Sequence, residues 1–162
     1  MEKVEMNKDM KLSEHFSLGE VTKTSIKTED GNIPSRVVIE NLTNLCENWL
    51  EDLRYSYNTL YSRDRPQDEI PLVINSGYRS PEVNKLAGGA PTSNHLTGCA
   101  VDIHVSGFEQ AIRYASILLD ISDGTKRDYD ELFIEKNKTG SHWIHFAVRP
   151  KDNRRKSGFI KV

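Results

Sequence analysis

The run Ser93–Asp102, SNHLTGCAVD, constrains the fold of this chain more than any other segment. It sets a histidine and an aspartate seven positions apart across a glycine turn, and its second half continues as a strand over 99–105. Side chains of a strand alternate between faces, so Ala100, Asp102 and His104 share one face while Cys99, Val101 and Ile103 share the other. Asp102 therefore faces away from the apolar set. A second segment, Ser141–Val148, lies so that its His145 falls 43 residues beyond Asp102. There Ile144, Phe146 and Val148 point together to a core, and His145 shares the opposite face with Trp143 and Ala147. His145 thus suits a polar cleft.

Taken singly, His95, Asp102 and His145 have ordinary roles open to them: a loop histidine, a turn-capping aspartate, a half-buried strand histidine. Taken together, with small residues at Gly98 and Ala100 and a serine two before His95, they form a candidate metal site. Structural zinc is closed by four protein ligands, whereas three ligands and an open position characterise catalytic zinc. Two histidines and one aspartate match the second arithmetic. Cys99 is best placed as a small core residue, and His104 as a surface histidine.

At 162 residues the chain suits one domain able to bury roughly 70% of its unfolded surface. The 22 Lys and Arg against 24 Asp and Glu leave no global field to recruit nucleic acid or an acidic membrane. No apolar stretch approaches the ~18 residues of a membrane span, and Met1–Lys11 is polar and charged. The expectation is a soluble protein, cytoplasmic as synthesised, with no nucleic-acid partner and a monomer as the default. Cys46 and Cys99 are too few for a disulfide-built scaffold.

Residues 1–11 are expected to form a flexible lead, 12–150 the domain, and 151–162 a basic extension with a solvated edge. Ser17 and Glu20 have capping-box spacing and predict a short helix. Apolar residues at 38, 42, 45, 46, 49, 50 and 53 predict a long helix over 34–58. A charged loop over 62–69 leads to a strand over 70–74, and Ser80 before Pro81 predicts a helix over 81–86. A helix over 108–119 and strands over 131–135 and 143–148 complete an α+β chain.

Three segments together resemble the zinc D-Ala-D-Ala carboxypeptidase family of peptidoglycan peptidases, within the wider group that includes lysostaphin-type enzymes and the hedgehog domain. Ser76–Asn84 looks like that family's SGYRSPxxN segment, Ser93–Asp102 fits its SxHxxGxAxD signature, and Trp143, Ile144 and His145 look like its third-ligand strand. The lead Phe16–Glu20 and the long helix are also similar, so the resemblance covers about 12–148. It implies a small antiparallel sheet flanked by helices, Zn2+ held by His95, Asp102 and His145, and cleavage of cell-wall peptide bonds next to D-amino acids. Arg79 matches the arginine that holds the substrate carboxylate, a role suited to a planar, always charged fork, with bracing of its own loop as the competing role. Ser93 would orient substrate or a ligand, with a loop cap as its competing role.

A general base must still take a proton from water. Relatives place a glutamate three residues before the third ligand, or use a His-x-His pair; this chain has His142 at the first of those positions and Trp143 at the second. His142 is the preferred base, since imidazole titrates near neutral pH. In a regular strand it would point away from His145, so it enters the site only if the chain turns over 140–142. Glu135, at the end of the preceding strand, is its competitor. The D-Ala-D-Ala bond, the diaminopimelate to D-Ala crosslink and the L-Ala to D-Glu bond are all compatible with such a cleft. The setting expected is a phage endolysin released at lysis or a cytoplasmic muropeptide-recycling enzyme, and the second functional class is a non-catalytic zinc-containing binding module.

Overall fold

The structure is a computed structural model and describes residues 6–62 and 69–162. Most of the charged loop predicted over 62–69 lies outside the described residues. Ser35 caps the first helix, α1 (Arg36–Leu45), by accepting a hydrogen bond from the Val38 amide. The helix runs through one π turn (Cys46–Leu50) into α2 (Glu51–Tyr61), which carries the predicted single helix three residues further. The widened turn lets the adjacent pairs Leu45/Cys46 and Trp49/Leu50 all be buried. Trp49 then stacks obliquely on Phe146 of the sheet, ring centres 5.2 Å apart.

Among the described residues the sheet has five strands: β1 (Ile74–Ser76), β2 (Ala100–His104), β3 (Glu131–Lys136), β4 (His142–Ala147) and β5 (Lys156–Lys161). Their order is β1-β2-β4-β3-β5. The first three pairings are antiparallel, but β5 runs parallel to β3, so the sheet is mixed where the resemblance implied an antiparallel one. The added strand belongs to the stretch expected as a basic extension. It is admitted because the amides of Arg155 and Lys156 donate to the carbonyls of Tyr129 and Asp130 as the chain re-enters beside β3.

Two further expectations differ. Ser17 and Glu20 make their reciprocal capping contacts, yet only turns follow, and the amides of Leu18 and Gly19 donate to the carbonyls of Met10 and Lys8. The same bonds tie the end of the expected lead to the body. The strand predicted over 70–74 starts only at Ile74, since Asn58 of α2 binds both the amide and the carbonyl of Ile70 and holds that backbone off the sheet. The short helix α3 (Pro81–Leu86) forms where predicted, capped by Ser80. The last helix, α4 (Phe108–Thr125), outruns its prediction by six residues and ends where Lys126 turns left-handed.

Helices α1, α2 and α4 cover one face of the sheet. Val101, Ile103, Leu132, Ile134, Ile144 and Phe146 turn into that core with Leu42, Leu45, Leu50 and Leu53. The other face carries Asp102, Glu131, Phe133, Glu135, Trp143 and His145, which line a cleft of about 760 Å³. Cys46 and Cys99 are both buried free thiols.

Candidate metal centre

Register brings the site together. Asp102 of β2 sits opposite His145 of β4, and Phe133 of β3 opposite His145 on the other side. His95 arrives on a single 3-10 turn (Asn94–Thr97) that Ser93 caps by accepting from the His95 amide at 3.2 Å. Gly98 then adopts φ +72 to redirect the chain into β2, and a Cβ there would meet the Val38 carbonyl oxygen at 2.7 Å. The glycine between the histidine and the aspartate is thus required twice, by its backbone angle and by the closeness of α1.

Ligand atoms of His95, Asp102 and His145 all lie within 4.8 Å of one another, and all three residues are well covered. His95 Nδ1 lies 2.7 Å from the Gly77 carbonyl oxygen, so this nitrogen donates there and Nε2 is the one turned to Asp102, 3.4 Å away. His145 Nδ1 is 3.1 Å from Asp102 Oδ1, and its Nε2 is 3.1 Å from Glu131 Oε1. Phe133 stacks on the His145 ring at 5.9 Å. Two imidazoles and a carboxylate converging at hydrogen-bonding range, with one ring nitrogen already committed to a backbone carbonyl, form a donor set that fits zinc.

Electrostatics pull in the same direction. Burial works against the charge of Asp102, but hydrogen bonds from His145 and His95, and the charge of those rings, outweigh it and hold the carboxyl far below its ordinary range. Burial likewise opposes protonation of His145, yet hydrogen bonds to Asp102 and Glu131 push that imidazole up to about 10. The metal-free site is thus a cation clasped by carboxylates. A metal ion held by these three residues would take the place of that proton.

Gly77 carries the carbonyl that orients His95, and it leaves no room for a side chain: a Cβ would lie 2.0 Å from the Val21 carbonyl oxygen. Gly77→Ala is expected to destabilise the fold by about 2–3 kcal/mol, the range of a forced backbone shift in a packed site. For a chain of this length that is a fall in Tm of roughly 4–12 °C, read by thermal denaturation.

Arg79 lines the cleft with Nη2 3.3 Å from Asp102 Oδ2 and Nε 3.2 Å from Ser76 Oγ, so it braces both its own loop and the carboxylate of Asp102. Ser93 is a cap that also lines the cleft. Glu135 stands on the cleft wall with Oε2 accepting from Trp143 Nε1 at 2.6 Å; burial pushes its carboxyl above the usual range.

The expected position of His142 is corrected. Strand β4 is regular from His142 onward, so His142 shares the face of Ile144 and Phe146 and its ring lies 5.7 Å from Phe108 of α4. The turn that would have brought it into the cleft ends one residue too early. Glu131 was not among the expected residues, although Glu131 and Glu135, four apart in a strand, must share a face.

The family model described as Peptidase M15 matches residues 14–126, which include His95 and Asp102 and stop before His145. No curated protein matches the chain.

Proposed function

The chain belongs to the peptidase M15 family, whose members are zinc-dependent metallopeptidases, and from that membership we propose that it hydrolyses a peptidoglycan stem-peptide or crosslink bond next to a D-amino acid. The observation that carries the proposal is the convergence of His95, Asp102 and His145 in one cleft with Glu135 on its wall and Arg79 at its edge.

In this proposal His95, Asp102 and His145 hold Zn2+. When bound, the ion supplies Lewis acidity, which lowers the pKa of water from ~15.7 toward ~7 and polarises a carbonyl. Glu135 takes the proton from the attacking water and returns it to the leaving amine. Its Oε2 is pinned by Trp143, which leaves Oε1 for the proton, and its raised carboxyl makes the carboxylate a stronger base for the first transfer. Arg79 keeps one guanidinium edge on Asp102 and Ser76 and offers its remaining donors to the substrate carboxylate. Ser93 helps orient the bound peptide from the rim of the same cleft.

Digestion of purified peptidoglycan with zinc-loaded protein, followed by mass spectrometry, tests this reading beside a chelated control and His95→Ala. New zinc-dependent fragments are expected, and their masses name the bond. Intact sacculi beside soluble muropeptides separate a lytic enzyme of the phage endolysin kind from a recycling enzyme. Intact substrate in both, with stoichiometric zinc on the protein, would replace the peptidase by a zinc-containing binding module.

A further inference from the structure

Glu131 has no part in the proposed hydrolysis, yet it makes one of the shortest-range contacts to the candidate ligands. Its Oε1 lies 3.1 Å from His145 Nε2 and also accepts from Asn94 Nδ2 at 2.6 Å. Resting on the zinc-peptidase reading above, we propose that Glu131 is a positioning residue that fixes the tautomer and orientation of His145 for metal binding, and that the C-terminal segment holds it in place through Asp130 and Arg154.

The tautomer follows from the donor inventory. Both ring nitrogens of His145 face carboxylates, which accept only, so the metal-free ring donates from both. A ligating imidazole must give up one proton. Asp102 belongs to the candidate donor set and Glu131 does not, so the proton lost is the one on Nδ1 and the Nε2–H stays on Glu131. This is the carboxylate–histidine–metal arrangement, in which the outer carboxylate raises the basicity of the ligand. Phe133, stacked on the same ring, blocks rotation out of that plane.

Glu131 is itself held. Asn94, the residue before His95, spends one amide proton on Glu131 and the other on Asp130 Oδ2 at 2.8 Å, so the turn that carries His95 and the strand that faces His145 are tied at one point. Asp130 is fully buried and closes a fork with Arg154, Nε to Oδ1 at 2.9 Å and Nη2 to Oδ2 at 2.7 Å. Arg154 also comes within 3.9 Å of Glu131 Oε2. Asp130, Glu131 and Arg154 all lie beyond the residues that the family model matches.

The test compares zinc affinity, by chelator competition, in the full-length wild type, Glu131→Gln and Glu131→Ala. Glu131→Gln keeps the shape of the side chain and removes its charge, and a zinc Kd weakened 10–100-fold is the expected size for loss of such a partner. The zinc-loaded wild type should also show a slowly exchanging imidazole Nε2–H proton by NMR that disappears in Glu131→Ala. A zinc Kd within twofold of wild type in Glu131→Gln, or an unchanged imidazole proton in Glu131→Ala, overturns the assignment. Should Glu131→Ala fail to fold, the isosteric variant decides alone. Wild-type protein that binds no zinc would instead overturn the metallopeptidase reading on which the inference rests.

Discussion

Asp102→Asn is expected to lose stoichiometric zinc and to reduce peptidoglycan hydrolysis by on the order of 10³-fold or more, because the several kcal/mol that a metal contributes to the transition state disappear with it. Asp102 is the hub of the site: His145 Nδ1, His95 Nε2 and Arg79 Nη2 all lie within 3.1–3.4 Å of its two oxygens. Asparagine keeps the volume but turns one acceptor into a donor that faces three other donors. The fold should pay less than the chemistry, at most about 3 kcal/mol, since the network is partly solvated at Arg79 and the ring of His145 keeps Glu131. Metal analysis of the purified variant, its melting curve and the digestion assay read the three quantities separately. Full zinc occupancy with undiminished hydrolysis would remove Asp102 from the proposed donor set.

Which parts of this site could be read in the chain beforehand follows from the range of the signals involved. The parity of a strand is local, so the faces of Asp102 and His145 were legible, as was the glycine turn that sets His95 beside them. Parity also warned against His142, and the preference for it depended on a turn that the regular pairing of Lys136 with His142 excludes. Register is not local. Glu131 reaches His145 only because the short connection from Lys136 to His142 slides Phe133 opposite His145, and the glutamates two before and two after Phe133 then flank the histidine and Trp143. The parallel strand β5 was hidden for a different reason: KSGFIK carries charges and a glycine, and its residues stay exposed even in the sheet, so no burial pattern marks it. At Ser17–Glu20 the capping signal is present and satisfied, but the turn it opens is tied to the lead through the amides of Leu18 and Gly19 and does not continue as a helix.

Glu135→Gln should bind zinc like the wild type and lower kcat by roughly 10²–10⁴-fold, the usual contribution of a positioned general acid–base group. Trp143 can still donate to the amide oxygen of the variant, so the geometry of the wall is retained while the proton acceptor is lost. His142→Ala provides the contrast. Its ring packs on Phe108 behind the sheet, so removing it should leave kcat within about threefold of wild type, in keeping with a contact away from the reacting atoms. The pH profile distinguishes the two further. Burial raises the Glu135 carboxyl, so the acid limb of kcat/KM should fall above the ~4.3 of an ordinary glutamate, activity being lost as the pH drops through that value and the base becomes protonated. That limb should vanish from the residual activity of Glu135→Gln and persist in His142→Ala. The reverse result, a silent Glu135→Gln beside an inactive His142→Ala, would mean that strand β4 rearranges when substrate binds and brings the other residue round to the water.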